Sequence, residues 1–522
     1  MGLLLLLPTV LCFYSIYGIY YRLYLSPIAH IPGPKLAAIT RLYEAYYDLW
    51  LGGKYTFKII ELHKQYGPII RISPWEVHIS DPDFYDTVYT SSASGHRRDK
   101  YDWFTKSFGM DGSVFATHQH DLHRARRSAL APYFSMASVR RLQPVIQGRV
   151  DLLLERLRGF RDKDEVLMAS WAFAAYTNDI VMEYCFGRCD NRLEAEDFDP
   201  SYRDASFFGS TAGSFMKHAP WVNNLMQALP MWAAAALHPA MASFVAQKRD
   251  NLAQIKAIQA SAASSKLDLD DSEIPTIFHS ILSSKLPPEE KTDVRLSDDA
   301  QVLTMAGTLT TAWVLELVMY WLIQQPTTLS KLKAELKTAI PTLDMIGTIP
   351  LPTLEQLPYL TAVIDEGLRL TYGVSCRLAR IDPDNSMLFT DAATGKEWTI
   401  PPGTPVGLTS VQIHHDERIF PDSKTFSPGR WLDGKNRVLD RYMVSFTGGS
   451  RQCLGINLAH AELYLGLSAI WRQWGSRGCR GEDDVGVFEL WETGLRDVEI
   501  ESDAFLPIQQ PGTKGIRVKA FT

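Results

Sequence analysis

Residues 446–455 read FTGGSRQCLG, a glycine-dense loop that carries one cysteine and leads into a helical pattern near Asn457. A thiolate at such a junction can be stabilised by backbone N–H groups and the helix dipole, and glycine lets the backbone approach a flat ligand. Arg451 adds a cation that can meet an acidic group. By itself the loop indicates an activated cysteine, and a buried, inert thiol at Cys453 is the alternative that local sequence leaves open.

The composition around this loop is that of an ordinary folded protein. The chain has 522 residues, 46% of them hydrophobic and 21% charged, and a formal net charge of −6. This balance provides no global basic field, so we expect no nucleic-acid partner. The cysteines are too sparse for a disulfide scaffold or paired zinc knuckles, which favours a reducing compartment. Cys185 and Cys189 are expected to be buried structural thiols.

The amino terminus has the composition of a membrane anchor. Gly2 to Tyr21 carries no charge, and about 20 helical residues span a bilayer core. A cleaved signal peptide is the alternative, but a basic leading region and a small-residue cleavage site are both missing. We therefore expect an anchor over residues 1–25, a proline-rich hinge over 26–36 and one catalytic domain over 37–522. Basic residues after the span place that domain on the cytoplasmic side.

The pattern of the remaining chain predicts a mainly α fold with a smaller β region, of the α+β class. Gly67 to Ser80 alternates apolar and polar residues around a proline, which indicates two short paired strands. Apolar spacing from about His96 to Gln325 is mostly helical, whereas proline, glycine and short β-like runs dominate after Ile381. One further helix is predicted from Asn457 to Trp474.

Two internal stretches are less regular. Ala260 to Glu273 is rich in Ser, Lys and Asp, which is typical of a surface linker. Trp221 to Ala242 is unusually apolar, but its asparagines and prolines argue against a bilayer span. That second stretch is either a buried core helix or a face that touches the membrane or lines a route for lipophilic substrate.

The loop around Cys453 reproduces the pattern F-x-x-G-x-R-x-C-x-G, and in this the chain resembles the cytochrome P450 family. The resemblance implies that the thiolate of Cys453 is the proximal ligand of the iron of haem b, and that Arg451 lies near a haem propionate. It also implies the cytochrome P450 fold, preceded by one N-terminal transmembrane helix.

Further motifs of this family follow in the expected order. Glu366 and Arg369 match its E-x-x-R helix, and Phe426 to Trp431 matches the segment whose arginine, here Arg430, completes a buried network with them. A helical turn separates Glu366 from Arg369, so the two can pair on one face.

The resemblance also suggests cations for the haem propionates. His123 and Arg127 occupy the positions of an aromatic residue and an arginine that meet the propionates, although histidine replaces the usual tryptophan. Arg380 occupies a third such position. Surface solvation is the alternative for each arginine.

The chain departs from the family pattern in the helix expected above the iron. The family has A-G-x-[DE]-T-T, whereas residues 306–311 read AGTLTT, so Leu309 replaces an acid that helps to deliver protons. Thr310 keeps the hydroxyl and is the expected catalytic residue, while Leu309 cannot relay a proton. The loop Lys100 to Phe115, Val302 to Thr310 and Gly373 to Cys376 are expected to face the distal pocket.

Taken together, the resemblance implies a monooxygenase that inserts oxygen from dioxygen into an apolar small molecule. Electrons would come from NADPH through NADPH-cytochrome P450 reductase, with cytochrome b5 as a further candidate partner. The chain looks most similar to fungal enzymes of secondary metabolism, which favours a terpenoid substrate and a single-pass location in the endoplasmic reticulum membrane. The alternatives are an isomerase, dehydratase or peroxide-using enzyme of the same fold without a reductase, and a haem carrier without catalysis.

Overall fold

Helices carry most of the chain in the residues that the computed structural model describes, which are 2–264, 276–432, 434 and 436–522. In the first half the α-helices are α1 (Gly2–Tyr20), α2 (Lys35–Ile39), α3 (Leu42–Ala45), α4 (Tyr55–Tyr66), α5 (Tyr85–Val88), α6 (Asp102–Thr105), α7 (His120–Leu130), α8 (Met136–Arg141), α9 (Gln143–Asp162), α10 (Ala169–Phe186), α11 (Ser201–Met216), α12 (Trp221–Ala228), α13 (Met231–Leu237) and α14 (Pro239–Ser264). In the second half they are α15 (Ile277–Ser283), α16 (Asp293–Gln324), α17 (Pro326–Ala339), α18 (Leu351–Leu354), α19 (Pro358–Thr371), α20 (Ser410–His414), α21 (Asn436–Leu439) and α22 (Ile456–Gln473).

The strands are short and form small sheets. They are β1 (Ile69–Arg71), β2 (Val77–Ile79), β3 (Asp99–Lys100), β4 (Val166–Met168), β5 (Arg380–Ile381), β6 (Met387–Thr390), β7 (Glu397–Ile400), β8 (Val406–Gly407), β9 (Trp474–Ser476), β10 (Gly486–Leu490), β11 (Ser502–Ala504), β12 (Leu506–Ile508) and β13 (Arg517–Phe521). One sheet has the order β1-β2-β8-β5-β3 and a second has β4-β13-β10-β9, while β6-β7 and β11-β12 are hairpins. The predicted mainly α fold with a smaller β region is confirmed.

The strand pair predicted between Gly67 and Ser80 is present. β1 and β2 pair antiparallel, with Ile69 opposite Ile79 and Arg71 opposite Val77. The preceding segment, predicted as a hinge, is docked on this pair, because the Arg71 N–H donates to the Pro32 carbonyl at 2.7 Å. Ile28 and Ile31 of the same segment are buried with Ile69 and Val77 in one apolar cluster.

The apolar helix α16 is the centre of the fold. It packs against α10, α14, α19 and α22. Among the described residues it is the one helix long and apolar enough to cross a membrane, but 56% of its most apolar window is buried inside the protein, so it is a core helix. By contrast α1 leaves Phe13, Tyr14 and Tyr17 exposed, and its insertion into a membrane stays a prediction.

The structure describes the apolar stretch 221–242 in full and only the start of the predicted linker. Residues 221–242 form α12, α13 and the start of α14, since prolines interrupt a single helix. One face of this stretch is buried through Met226 and Ala234, while Trp221 and Trp232 are exposed, so it is not a fully buried core helix. The predicted linker from Ala260 begins inside α14, and its residues 265–273 lie outside the described part of the chain.

Of the cysteine pair expected to be buried, Cys185 is buried and Cys189 is half-buried, and neither forms a disulfide.

Candidate haem-thiolate site

The cysteine loop is held in a fixed shape at the start of α22. A 3-10 turn covers Gly449–Arg451, and the Cys453 N–H donates to the Phe446 carbonyl at 2.9 Å. Gly449 has a φ of +69°, and a Cβ there would overlap the carbonyl oxygens of Tyr89 and Thr90, so only glycine fits this position.

The thiol of Cys453 is accessible, which removes the inert buried thiol as an alternative. Desolvation nonetheless raises the pKa of this thiol, while the Gly455 N–H and the charge of Arg127 oppose that rise. A cysteine placed in this way can bind a ligand from an internal cleft, and a bound metal ion would favour its thiolate form.

A group of basic side chains lies near this thiol. Arg451 donates to the carbonyls of Thr117 and His118, both at 2.6 Å. Lys100 donates to the Phe115 carbonyl and stands opposite Arg380 in the pairing of β3 with β5. We call this group the cation cluster. Each member changes the pKa of others through its charge, and the members are Lys100, His123, Arg127, Arg380 and Arg451.

Electrostatics within the cation cluster are unfavourable for the protein alone. Burial first, and then the charge of Arg451, holds the pKa of His123 far below its usual range. Burial, followed by Arg380 and Arg127, lowers the pKa of Arg451 to about 9. Burial, followed by the charges of Arg451 and Arg380, also depresses the pKa of Lys100. Within the described residues no member forms an ion pair with a carboxylate, and Asp99 only partly offsets the burial of Arg451, so the cluster can accept an anionic ligand.

The donor set fits haem. One accessible thiol can bind an iron atom, and a group of mostly buried basic side chains without an ion-paired carboxylate can bind the two propionates. The sequence-predicted residues His123, Arg127, Arg380 and Arg451 are therefore brought together near Cys453. Lys100 belongs to the same group and was not among the predicted cofactor-binding residues. Its position depends on the pairing of β3 with β5, which no local motif signals.

The segment of α16 that carries Thr310 borders an internal space. Ala306 is exposed although it lies in the middle of the core helix. The hydroxyl of Thr310 donates to the Ala306 carbonyl at 2.8 Å, and Leu309 is partly buried beside it. The adjacent Thr308 is fixed by α10, because Asn178 donates to its hydroxyl at 2.9 Å. Thr310 is thus on a rigid helix, with its hydroxyl engaged on the backbone.

The predicted E-x-x-R network is present, and its Glu366 and Arg369 are fully buried. Arg369 contacts both carboxylate oxygens of Glu366, at 2.8 and 2.9 Å. Arg430 donates to the same carboxylate at 3.1 Å and Trp431 at 3.0 Å. Further donors and acceptors from neighbouring backbone satisfy both charges, which is the condition for burying an ion pair without a large penalty.

A narrow cavity lies beside the predicted pocket segments, and its accessible space of about 20 Å³ holds about one water molecule. The loop Lys100 to Phe115 contributes Trp103, Phe104 and Phe108 to its wall. The segment Gly373 to Cys376 contributes Cys376 to the wall. The predicted segment Val302 to Thr310 does not line this cavity. Charged side chains that the sequence did not single out, including Arg377 and Lys217, form its other wall.

Known proteins are similar to this chain over most of its length. The model of the family described as Cytochrome P450 matches residues 40–495. The chain is 50% identical to "Cytochrome P450 monooxygenase tpcC" of Cochliobolus heterostrophus, covering 97% of this chain and 95% of the relative. It is 43% identical to "Cytochrome P450 monooxygenase astB" of Talaromyces wortmannii, covering 98% and 96%. A third relative, "Tryptophan 6-hydroxylase fscE" of Fusarium equiseti, is 38% identical over 95% of this chain and 93% of the relative.

Proposed function

The chain belongs to the cytochrome P450 family of monooxygenases, and from that premise we propose that it inserts oxygen into a lipophilic small molecule of fungal secondary metabolism. The observation that carries the proposal is the accessible thiol of Cys453 beside a cation cluster that forms no ion pair with a carboxylate in the described part of the chain. Haem b, when bound, supplies the activation of dioxygen.

The chain's own residues then have separate tasks. Cys453 would hold the iron, and Arg127, Arg380 and Arg451, with His123 and Lys100, would hold the propionates. Thr310 offers a hydroxyl on a rigid helix to hold a proton or a water molecule, while Leu309 excludes water at the neighbouring position. The aromatic side chains of the loop Lys100 to Phe115 would contact an apolar skeleton.

The substrate class is narrower than the family alone implies. The loop Lys100 to Phe115 contributes the aromatic rings of Trp103, Phe104 and Phe108, which suit an apolar skeleton, and we favour a terpenoid. The relatives include proteins named as hydroxylases of tryptophan and of N-acetyltryptophan, so an indole is the competing skeleton to test.

The redox partner and the location follow from the same proposal. Electrons would come from NADPH through NADPH-cytochrome P450 reductase, with cytochrome b5 as a second donor to test. The apolar helix α1, with exposed aromatic side chains, would anchor the protein in the endoplasmic reticulum membrane with the catalytic domain on the cytoplasmic side.

The test is product formation by the purified protein with a reductase, with and without NADPH, on terpenoid and indole substrates. Oxygenated product that requires NADPH supports the proposal. Turnover that ignores NADPH would favour the second candidate, an isomerase, dehydratase or peroxide-using enzyme, which Leu309 in place of an acid supports.

A further inference from the structure

Two arginines close to the end of α1 have no carboxylate partner. Arg22 lies two residues after α1, and Arg41 lies between α2 and α3. Nη1 of Arg22 donates to the Ile39 carbonyl, and Nη2 of Arg41 donates to the Tyr101 hydroxyl. Across the described residues neither guanidinium forms an ion pair with a carboxylate. Both side chains are therefore fixed by neutral acceptors and keep an uncompensated positive charge.

The ring of Trp75 brings these two charges together. Cζ of Arg22 lies 5.2 Å from the centre of this ring, and Cζ of Arg41 lies 4.4 Å from it. Arg41 also lies over the ring of Trp103, at 4.2 Å. Contacts with an aromatic ring hold a guanidinium without using its N–H groups. Trp75 is 46% exposed, so this group, which we call the arginine platform, reaches the surface.

The arginine platform has hydrogen-bond donors to spare. On Arg22, Nε and Nη2 have no acceptor among the described residues, and together they form one edge of the guanidinium fork. Nε of Arg41 is buried and also lacks an acceptor in the described part of the chain. Such an edge matches two oxygens of one phosphate group, and a buried N–H without an acceptor is costly until a ligand or water supplies one.

The charge around the arginine platform is positive. Burial, followed by the charge of Arg22, lowers the pKa of the neighbouring Arg71 to about 10. Arg71 donates to the carbonyls of Arg22, Ser73 and Pro74, and it too forms no ion pair within the described residues. An anion bound to the platform would therefore be stabilised by three guanidinium groups.

The position of the platform relative to α1 indicates which anion can reach it. α1 carries no charge, and the tyrosines at its end, Tyr20, Tyr21 and Tyr24, are all exposed. Exposed tyrosines at the end of an apolar helix are typical of the interface between a bilayer and water. With α1 in a bilayer, Arg22 would lie at this interface, where the phosphate groups of the lipids are the anions at hand.

We propose that Arg22 and Arg41, held on Trp75, bind the phosphate group of an anionic membrane lipid, of which phosphatidic acid is the simplest. The inference rests on the proposed membrane anchor and goes beyond it, because it assigns a choice of lipid to the folded domain. Phosphatidylcholine should bind more weakly, since its own cation already balances its phosphate.

The experiment uses the full-length, haem-containing protein in dodecyl maltoside micelles with equal amounts of dioleoyl phosphatidic acid and dioleoyl phosphatidylcholine. The protein is captured, and the two bound phospholipids are quantified by mass spectrometry. We expect phosphatidic acid to be enriched at least about tenfold over the composition of the micelles, because each arginine near a charged lipid contributes about a fivefold preference.

Arg22→Gln and Arg41→Gln each remove one guanidinium and should each lower the enrichment about fivefold. The matched control is Arg124→Gln, which changes an exposed arginine on α7 that likewise has no ion pair within the described residues. It should keep the enrichment. If the glutamine variants do not fold, Arg22→Lys keeps the charge but loses the fork, and should still lower the enrichment.

No enrichment in the natural protein, an enrichment that the changes at Arg22 and Arg41 leave intact, or an equal loss in Arg124→Gln would overturn the inference. The anchor is scored separately by carbonate extraction of the full-length protein. A carbonate-resistant protein without enrichment would sink the lipid site and leave the anchor standing. An enrichment that depends on the two arginines, in a protein that carbonate releases, would do the reverse.

Discussion

At the scale of single residues, Cys453 carries the strongest expectation. Its accessible thiol lies beside Arg127 at the start of α22, where a bound metal ion can hold the thiolate form. Cys453→Ala should therefore remove the absorption band of the ferrous carbon monoxide complex that is characteristic of haem-thiolate proteins. The measurement is a reduced, carbon monoxide difference spectrum of the purified protein.

The matched control for that variant is Cys479→Ala, which removes a half-buried free thiol far along the chain from the loop. It should retain the band at full intensity. A retained band in Cys453→Ala would refute the ligand assignment.

Thr310 is the residue on which proton delivery should depend, because the neighbouring Leu309 has no exchangeable proton. Thr310→Ala should lower the product formed per NADPH by about tenfold or more, with the missing electrons recovered as hydrogen peroxide. Thr310→Ser keeps the hydroxyl that donates to Ala306 and should retain most of the coupling. The check is the ratio of product to peroxide, and equal ratios in the two variants would exclude a role for the hydroxyl.

The residues of the site were predictable only where a short motif contains them. Cys453 and Arg451 lie in one loop, so a single pattern gives both. Lys100 joins the same cluster through strand pairing with Arg380, and a two-residue strand has no alternation that a sequence could show. The charged side chains of Arg377 and Lys217 were missed for a similar reason, since ion pairs between distant segments create their setting.

At the scale of elements, the E-x-x-R helix α19 gives the clearest prediction about the stability of the fold. Glu366 accepts from Arg369, Arg430 and Trp431, and the contacts with Arg369 and Trp431 are buried. Glu366→Gln would leave Arg369 buried without its counter-charge, which costs on the order of 3–5 kcal/mol. We expect the free energy of unfolding in urea, followed by tryptophan fluorescence, to fall by about that amount.

The control for this element is Glu61→Gln, which removes one partner of the exposed pair with Lys58 on α4. Exposed pairs contribute about 0–1 kcal/mol, so this variant should unfold almost like the natural protein. A similar loss in both variants would mean that the buried network does not support the fold.

Helices and strands were predicted correctly where the local spacing of apolar residues determines them. The alternation of Gly67 to Ser80 gave β1 and β2, because their partner is the neighbouring strand. β4 was hidden inside a helical region, since its partner β13 lies at the other end of the chain. Residues 221–242 were ambiguous because their apolar side chains serve both a packed face and an exposed one.

At the scale of the whole molecule, attachment to a membrane should depend on α1. Removing residues 2–20 takes away an uncharged, exposed helix but keeps Arg22, whose carbonyl accepts from Arg71 at 2.7 Å. The shortened protein should move from the carbonate-resistant pellet to the soluble fraction in part or in full and keep its carbon monoxide spectrum. Trp221 and Trp232, both exposed, would account for any residual association that detergent removes. A full-length protein found in the supernatant would contradict the anchor.

Acid sensitivity of the folded molecule should come from buried neutral histidines. Nδ1 of His63 donates to the Gly67 carbonyl at 2.8 Å, so its Nε2 accepts from Nδ1 of His78 at 2.8 Å, and Nε2 of His78 accepts from the Thr409 hydroxyl at 2.8 Å. Every ring nitrogen is engaged, so the hydrogen bonds of both rings are complete while the rings are neutral. Burial lowers the pKa of His63 to about 4 and that of His78 well below its usual range.

Because these histidines stay neutral in the folded state, the unfolded chain binds more protons as the pH falls below their ordinary value of 6.5. Their contribution is complete above that value and is lost progressively as the pH falls towards about 4, on the order of 3 kcal/mol for His63. The midpoint of urea unfolding should therefore drop steeply from pH 6.5 to pH 5 in the natural protein and less steeply in His63→Gln, in which one titrating ring is gone. An equal drop of the urea midpoint in the two proteins would show that the pair His63 and His78 does not govern acid stability.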